Sequence, residues 1–202
     1  MATDISTIMQ LNRYALLGVV CAVLSCRSAD LEHPITPAQL CARRDTVRMQ
    51  VSGTTLDDDF EIIARLLPGG FGGLTTSYMF LKQPALADTA RASARTLAVC
   101  PGETLTNLWS MIQFAEVRQG QYDWVELRRW YVELLSQGSG GMYMCDISES
   151  INRLSFWFET QNALDTFRAR AQAIGVPAAA LSLSLGTPPI LLDLSTRPSN
   201  VR

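Results

Sequence analysis

Histidine is almost absent from this chain: 202 residues contain one, His33. Ser/His/Asp and Cys/His catalysis both use an imidazole to move a proton near neutral pH, so either would depend on His33. That residue stands beside Pro34 in a mixed, polar stretch that reads as solvated surface. A Gly-Asp-Ser-Gly-Gly nucleophile motif is missing, and no Lys-Ser or Lys-Thr follows the glycine run at 69–73 as a phosphate-binding loop requires. CxxC and paired Cys/His spacings, which would suggest zinc, are lacking too. Lys and Arg are scattered over a chain of net charge -2, which leaves no basic stripe for nucleic acid. The expectation is a protein that is not an enzyme and holds no cofactor and no metal.

Apolar runs long enough to span a bilayer are also lacking. Residues 14–24, YALLGVVCAVL, follow Arg13. As a helix they would rise only about 16 Å, against the roughly 30 Å of a hydrocarbon core. A base, a short apolar run and small residues form the secretory pattern, and Met9 gives it a more regular start than Met1. Val23-Leu24-Ser25-Cys26 is similar to a bacterial lipoprotein box, with the leucine one place late. Residues 1–26 are therefore expected to be a signal peptide with a lipobox-like end, Cys26 to carry the lipid, and the protein to be exported to the cell envelope or, without the lipid, secreted. Export permits disulfides. Cys41 and Cys100 flank the first half of the chain and either bridge or, with Cys145, stay buried as small hydrophobic thiols.

What is present is a unit used twice. Residues 27–56, broken by Pro34 and Pro37, read as a tether with a short helix over 37–43. Asp57, Asp58 and Asp59 precede Phe60, Ile63 and Leu67 at helical spacing, so the acids cap a helix. The glycines at 69–73 read as a tight turn or a close backbone approach. Residues 74–81 are strand-like, with 75–77 as their turn, and a helix follows Pro84. Residues 108–117, LWSMIQFAEV, alternate like a half-buried strand.

The second copy is clearer. Asp123 and Glu126 form a capping box, and Trp124, Leu127, Tyr131 and Leu134 share one helix face. Strands are expected over 142–147 and 154–158 around a turn at 148–152, then a helix from 162 and a strand over 180–185. ALADTARASARTL aligns with NALDTFRARAQAI, placing Asp88-Thr89 opposite Asp165-Thr166, and Gly72-Gly73 aligns with Gly140-Gly141. The predicted fold is α+β: two α-β-β-α-β repeats, 57–117 and 118–186, with antiparallel sheet and helices packed on one face. Residues 187–202 form an extended tail whose apolar part is Ile190, Leu191, Leu192 and Leu194.

LLPGGFGGL at 66–74, EVRQGQYDWVELRRW at 116–130 and MCDISESINRLSFWF at 144–158 resemble the pro-regions of secreted bacterial chymotrypsin-like serine proteases, the alpha-lytic protease and streptogrisin group. The resemblance covers about residues 58–185. It implies an α/β module whose C-terminal sheet and tail embrace a protease, helping it fold and inhibiting it. No protease follows in this chain, so the resemblance implies a free-standing module with its partner elsewhere.

The residues themselves leave three functions. The first is a non-catalytic module that binds a protein partner through its sheet and the tail residues Ile190, Leu191, Leu192 and Leu194, with the membrane reached through lipid at Cys26; that the partner is a secreted protease, which the module inhibits or helps to fold, is what the resemblance implies. The second is a structural envelope lipoprotein without a protease partner. The third is a small-ligand binder whose pocket is lined by Trp130, Phe156 or Trp157. Asp146 with Glu149, and Glu126 with Glu133, are the carboxylate pairs a glycoside hydrolase would need, but turns and solvated helix faces account for them.

Overall fold

The two repeats start alike, each with a capping box. Helix α2 (Leu56–Leu66) begins at Thr55, whose hydroxyl accepts from the Asp58 amide while the Asp58 carboxylate accepts from the Thr55 amide. The helix that opens the second repeat, Trp124–Ser136, begins with the same exchange between Asp123 and Glu126. Both boxes satisfy amides that have no partner within a helix. The computed structural model describes residues 35–51 and 54–187. Cys26, His33 and the tail residues Ile190, Leu191, Leu192 and Leu194 lie outside them. The described residues from Pro37 onward belong to one compact unit.

In chain order the elements are α1 (Pro37–Gln50), α2, β1 (Phe71–Leu74), β2 (Tyr78–Leu81), α3 (Ala87–Ala98), α4 (Thr106–Phe114), β3 (Glu116–Gln119), α5 (Trp124–Ser136), β4 (Met142–Ser148), β5 (Arg153–Phe158), α6 (Gln161–Ala173) and β6 (Leu181–Leu185). The fold is α+β, with two three-stranded sheets ordered β1-β2-β3 and β4-β5-β6. In each, a hairpin pairs antiparallel and the third strand joins parallel after a helical crossover. The sheets are thus mixed, because the helix between second and third strand returns the chain in the same direction. Asp88 and Asp165 lie the same seven residues beyond Leu81 and Phe158, the ends of β2 and β5. Each pairs with the arginine three residues on, Arg91 or Arg168.

Three expectations need correction. The supposed tether is a packed helix over Pro37–Gln50: Pro37 opens it, and Leu40, Arg44, Val47 and Val51 are its buried stripe. Pro at a first helical position costs no hydrogen bond. The strand expected over 108–117 is helix α4, which buries Trp109 and Ile112 one turn apart. The strand that follows, β3, is mostly polar and largely exposed. Lastly, Gly72 and Gly73 lie within β1, and it is Gly69-Gly70 that match Gly140-Gly141, all four with positive φ immediately before a strand.

One core of buried side chains serves both halves. Phe60 of α2 sits edge-on to Phe71 of β1, centroids 5.8 Å apart, and edge-on to Trp124 of α5, 4.8 Å apart. Around this contact the halves brace each other reciprocally. Arg128 of α5 pairs with Asp58, the acid of the α2 capping box, and with Glu61 at 3.0 Å. Lys82, just after β2, donates to Glu126, the acid of the α5 capping box, at 2.9 Å. Trp124 donates its indole N–H to the Asp57 carbonyl at 3.1 Å.

The Thr55 hydroxyl and then the Arg128 guanidinium hold Asp58 at a pKa of about 2, below its ordinary 3.8. A carboxyl depressed on folding stabilises the native state above its unfolded pKa and loses that contribution as the pH falls through the folded one. Urea unfolding between pH 5 and pH 2 should therefore show the wild type losing stability more steeply than Asp58→Asn in the window from roughly pH 4 down to 2. Parallel slopes would remove Asp58 as the source.

The closest union of the halves is made by Asn152, buried at the end of the β4–β5 turn with φ of 54°. Its amide oxygen accepts from Gln121 N at 2.8 Å and Tyr122 N at 3.0 Å. Its amide nitrogen donates to the Gly72 and Tyr122 carbonyls, each at 2.9 Å. A Cβ on Gly72 would overlap both Asn152 Nδ2 and the Tyr122 carbonyl oxygen, which explains a glycine inside a strand.

Candidate functional site

Sheet β4-β5-β6 offers its two faces to different surroundings. Side chains alternate along a strand. Cys145 and Ile147 of β4 with Leu154, Phe156 and Phe158 of β5 turn toward α5 and α6. There Phe156 lies 4.5 Å and Phe158 5.1 Å from the Phe167 ring, centroid to centroid, and Tyr131 contacts the Cys145 sulfur at 3.2 Å. Burial, and then the bond to Cys145, push the Tyr131 hydroxyl above its ordinary pKa, so it stays protonated.

The other face carries two rows set by the register. Met144, Trp157 and Ser184 form one, and Asp146, Ser155 and Ser182 the other. Met144 is 44% exposed. Asp146 is exposed, Trp157 half-buried, and Ser155 buried at the centre of its row. Strand β6 pairs with β5 on one side and, among the described residues, has no strand on the other. The result is an open face of mixed character ending in an unpaired strand edge.

Trp130, Phe156 and Trp157, each expected as a wall of a ligand pocket, do not share one among the described residues. Phe156 and Trp157 are consecutive in β5 and point to opposite faces, while Trp130 packs edge-on against Tyr122 at 5.4 Å. Of the carboxylate pairs, Glu126 and Glu133 go to different surroundings, whereas Asp146 and Glu149 stay near enough to repel each other. Burial raises the Glu126 pKa, but its bonds to Lys82 and the Asp123 amide outweigh that and leave it lowered. Glu133 lines an open groove between α2 and α5 together with Glu61, Arg65, Arg128 and Val132. Asp146 and Glu149 are both raised, chiefly because neighbouring protein strips part of the water from each carboxylate, with Asp57 adding repulsion to each.

Cys41 and Cys100 form a disulfide, sulfurs 2.00 Å apart, that fastens α1 to the end of α3. Beside it Glu103, its side chain 2% exposed, takes Arg44 at 3.2 Å and also Arg48, and accepts from the Thr104 and Leu105 amides at 2.8 and 2.7 Å. Arg44 completes its bonding at the Pro101 carbonyl, 2.9 Å away. The sequence offered no sign of this cluster, since Arg44 and Glu103 are 59 residues apart. Among the described residues no group of three or more His, Cys, Asp or Glu is placed to hold a metal ion, and no helix is long and apolar enough to cross a membrane.

These features amount to a braced two-repeat scaffold that, among the described residues, leaves one face of the second sheet and the β6 edge open. Comparison with protein-family models, with curated proteins and with solved structures finds no match for this chain.

Proposed function

We propose that this chain is an exported, lipid-anchored, non-catalytic module that binds a protein partner, acting as an inhibitor or folding helper like the protease pro-regions it resembles. The observation that carries the reading is the second sheet, whose helices α5 and α6 pack on one face while Met144 and Asp146 stand exposed on the other and β6 ends the sheet unpaired. An unpaired strand edge accepts an added strand: main-chain hydrogen bonds give affinity, and alternate side chains select the partner. The resemblance adds the kind of partner, a secreted protease, and a second element, the tail with Ile190, Leu191, Leu192 and Leu194. Cys26 supplies the anchor.

Deletion of residues 188–202 tests the tail. The expected result is an almost unchanged melting temperature together with loss of a stoichiometric complex that the full chain forms with a protein drawn from envelope extracts. A fall of several degrees would show that the tail serves this chain's own stability. Incorporation of radiolabelled palmitate, lost in Cys26→Ala, tests the anchor, and a wild type that incorporates none refutes it.

A further inference from the structure

Where the two repeats meet, an open groove of about 390 Å³ runs between the start of α2, the β1–β2 turn and one flank of α4. Its walls are apolar: Leu56, Leu74, Leu108 and Met111 line it, with Thr76 at the rim. The one ionisable side chain lining it is Glu149, delivered by the β4–β5 turn of the other repeat. The charge around it has one sign. Asp57 and Asp146 are near enough to oppose ionisation of Glu149, and among the described residues none of these three carboxylates has a Lys or Arg partner. The groove between α2 and α5 differs, since charges of both signs line it and Arg65 and Arg128 pair there with Glu61.

We propose that this groove receives a lysine or arginine side chain of the partner protein, flanked by large apolar residues, with the cation against Glu149 and the apolar neighbours against Leu74, Leu108 and Met111. The inference rests on the reading of the chain as a protein-binding module and names what the partner must present. Two features select this occupant. An apolar channel with a single uncompensated carboxylate complements a cation carried on an apolar stem, and Lys and Arg side chains have that form. The groove is open along its length, whereas pockets for free small molecules bury most of their ligand, so a side chain held in place by its own polypeptide suits it better. Leu56, 53% exposed at the rim, would be covered on binding.

The test is an amide-shift NMR titration with two synthetic peptides, acetyl-Gly-Leu-Lys-Leu-Gly-amide and the same peptide with norleucine for lysine. The lysine peptide is expected to move the amides of Leu74, Met111 and Glu149 and to bind about fivefold tighter than the norleucine peptide, the size of a partly exposed ion pair. Glu149→Gln, a change in the β4–β5 turn to be checked for intact folding by circular dichroism, should reduce the lysine peptide to the affinity of the other. Equal affinities, or shifts confined to the β6 edge, would overturn the groove while leaving the protein-binding reading standing. A full chain that captures no stoichiometric partner from envelope extracts, with the peptide titration as expected, would do the reverse.

Discussion

Replacing Asn152 by alanine should lower stability by about 3–5 kcal/mol, at the upper end of single substitutions, and the melting temperature by about 10 °C. The side chain makes four hydrogen bonds to backbone groups of residues 72, 121 and 122. Truncation orphans two amide N–H groups and two carbonyls in a buried place, and each orphan costs about 1–3 kcal/mol before relaxation. Alanine also fits the 54° φ poorly, where asparagine is tolerated. Asn152→Gly separates these contributions, because it keeps the backbone freedom and loses only the bonds. Gly72→Ala should be comparably damaging, since its Cβ would push into the same amide. In the double variant Asn152→Gly with Gly72→Ala, the costs should fall short of additive. Denaturant unfolding measures all four. A loss below about 1 kcal/mol for Asn152→Ala would mean that water replaces the side chain without penalty.

The second large effect belongs to the disulfide. Cys41 and Cys100 are 59 residues apart, and a loop of that size restricts the unfolded chain by about 4 kcal/mol in the chain-entropy account. Cys41→Ser with Cys100→Ser, or reduction of the wild type, should lower the free energy of unfolding by that order. Hydrogen exchange should then show α1 opening first. The helix would remain held by Arg44 and Arg48 on Glu103 and by buried Leu40 and Val47, so it should loosen without unfolding the rest. Alkylation of Cys41 and Cys100 in unreduced protein would show that the bridge does not exist in solution.

How far the sequence could be read depended on how local each signal was. The α5 capping box, the β4–β5 hairpin with its turn and the repeated Asp-Thr-x-Arg of α3 and α6 are written within a few residues, and they are found as expected. Helix α1 was obscured because Arg44 interrupts its apolar stripe, and it is Glu103 and the Pro101 carbonyl, far along the chain, that with the adjacent Asp45 make that arginine acceptable inside. Helix α4 is nine residues long, short enough for Trp109 and Ile112 to fit either period, and no side chain caps its start. Strand β3 carries Glu116, Arg118 and Gln119, whose polarity conceals a strand that has β2 on one side only. Of the candidate site, the open face was hidden in β4 and β5, which are apolar at nearly every residue around Trp157 and read as strands covered by helices. The groove was hidden too, since it draws on four segments that meet only after folding.

The crossed braces at the helix starts have a consequence for descent. Two copies of a unit ordinarily drift apart freely, each answering to its own core. Here position 58 is answered at 128 and position 126 at 82, so a change of sign on one copy calls for a change on the other. Related chains should show these positions substituting in pairs across the repeat boundary, while position 152, with four backbone partners at once, has no compensating substitution and should stay asparagine.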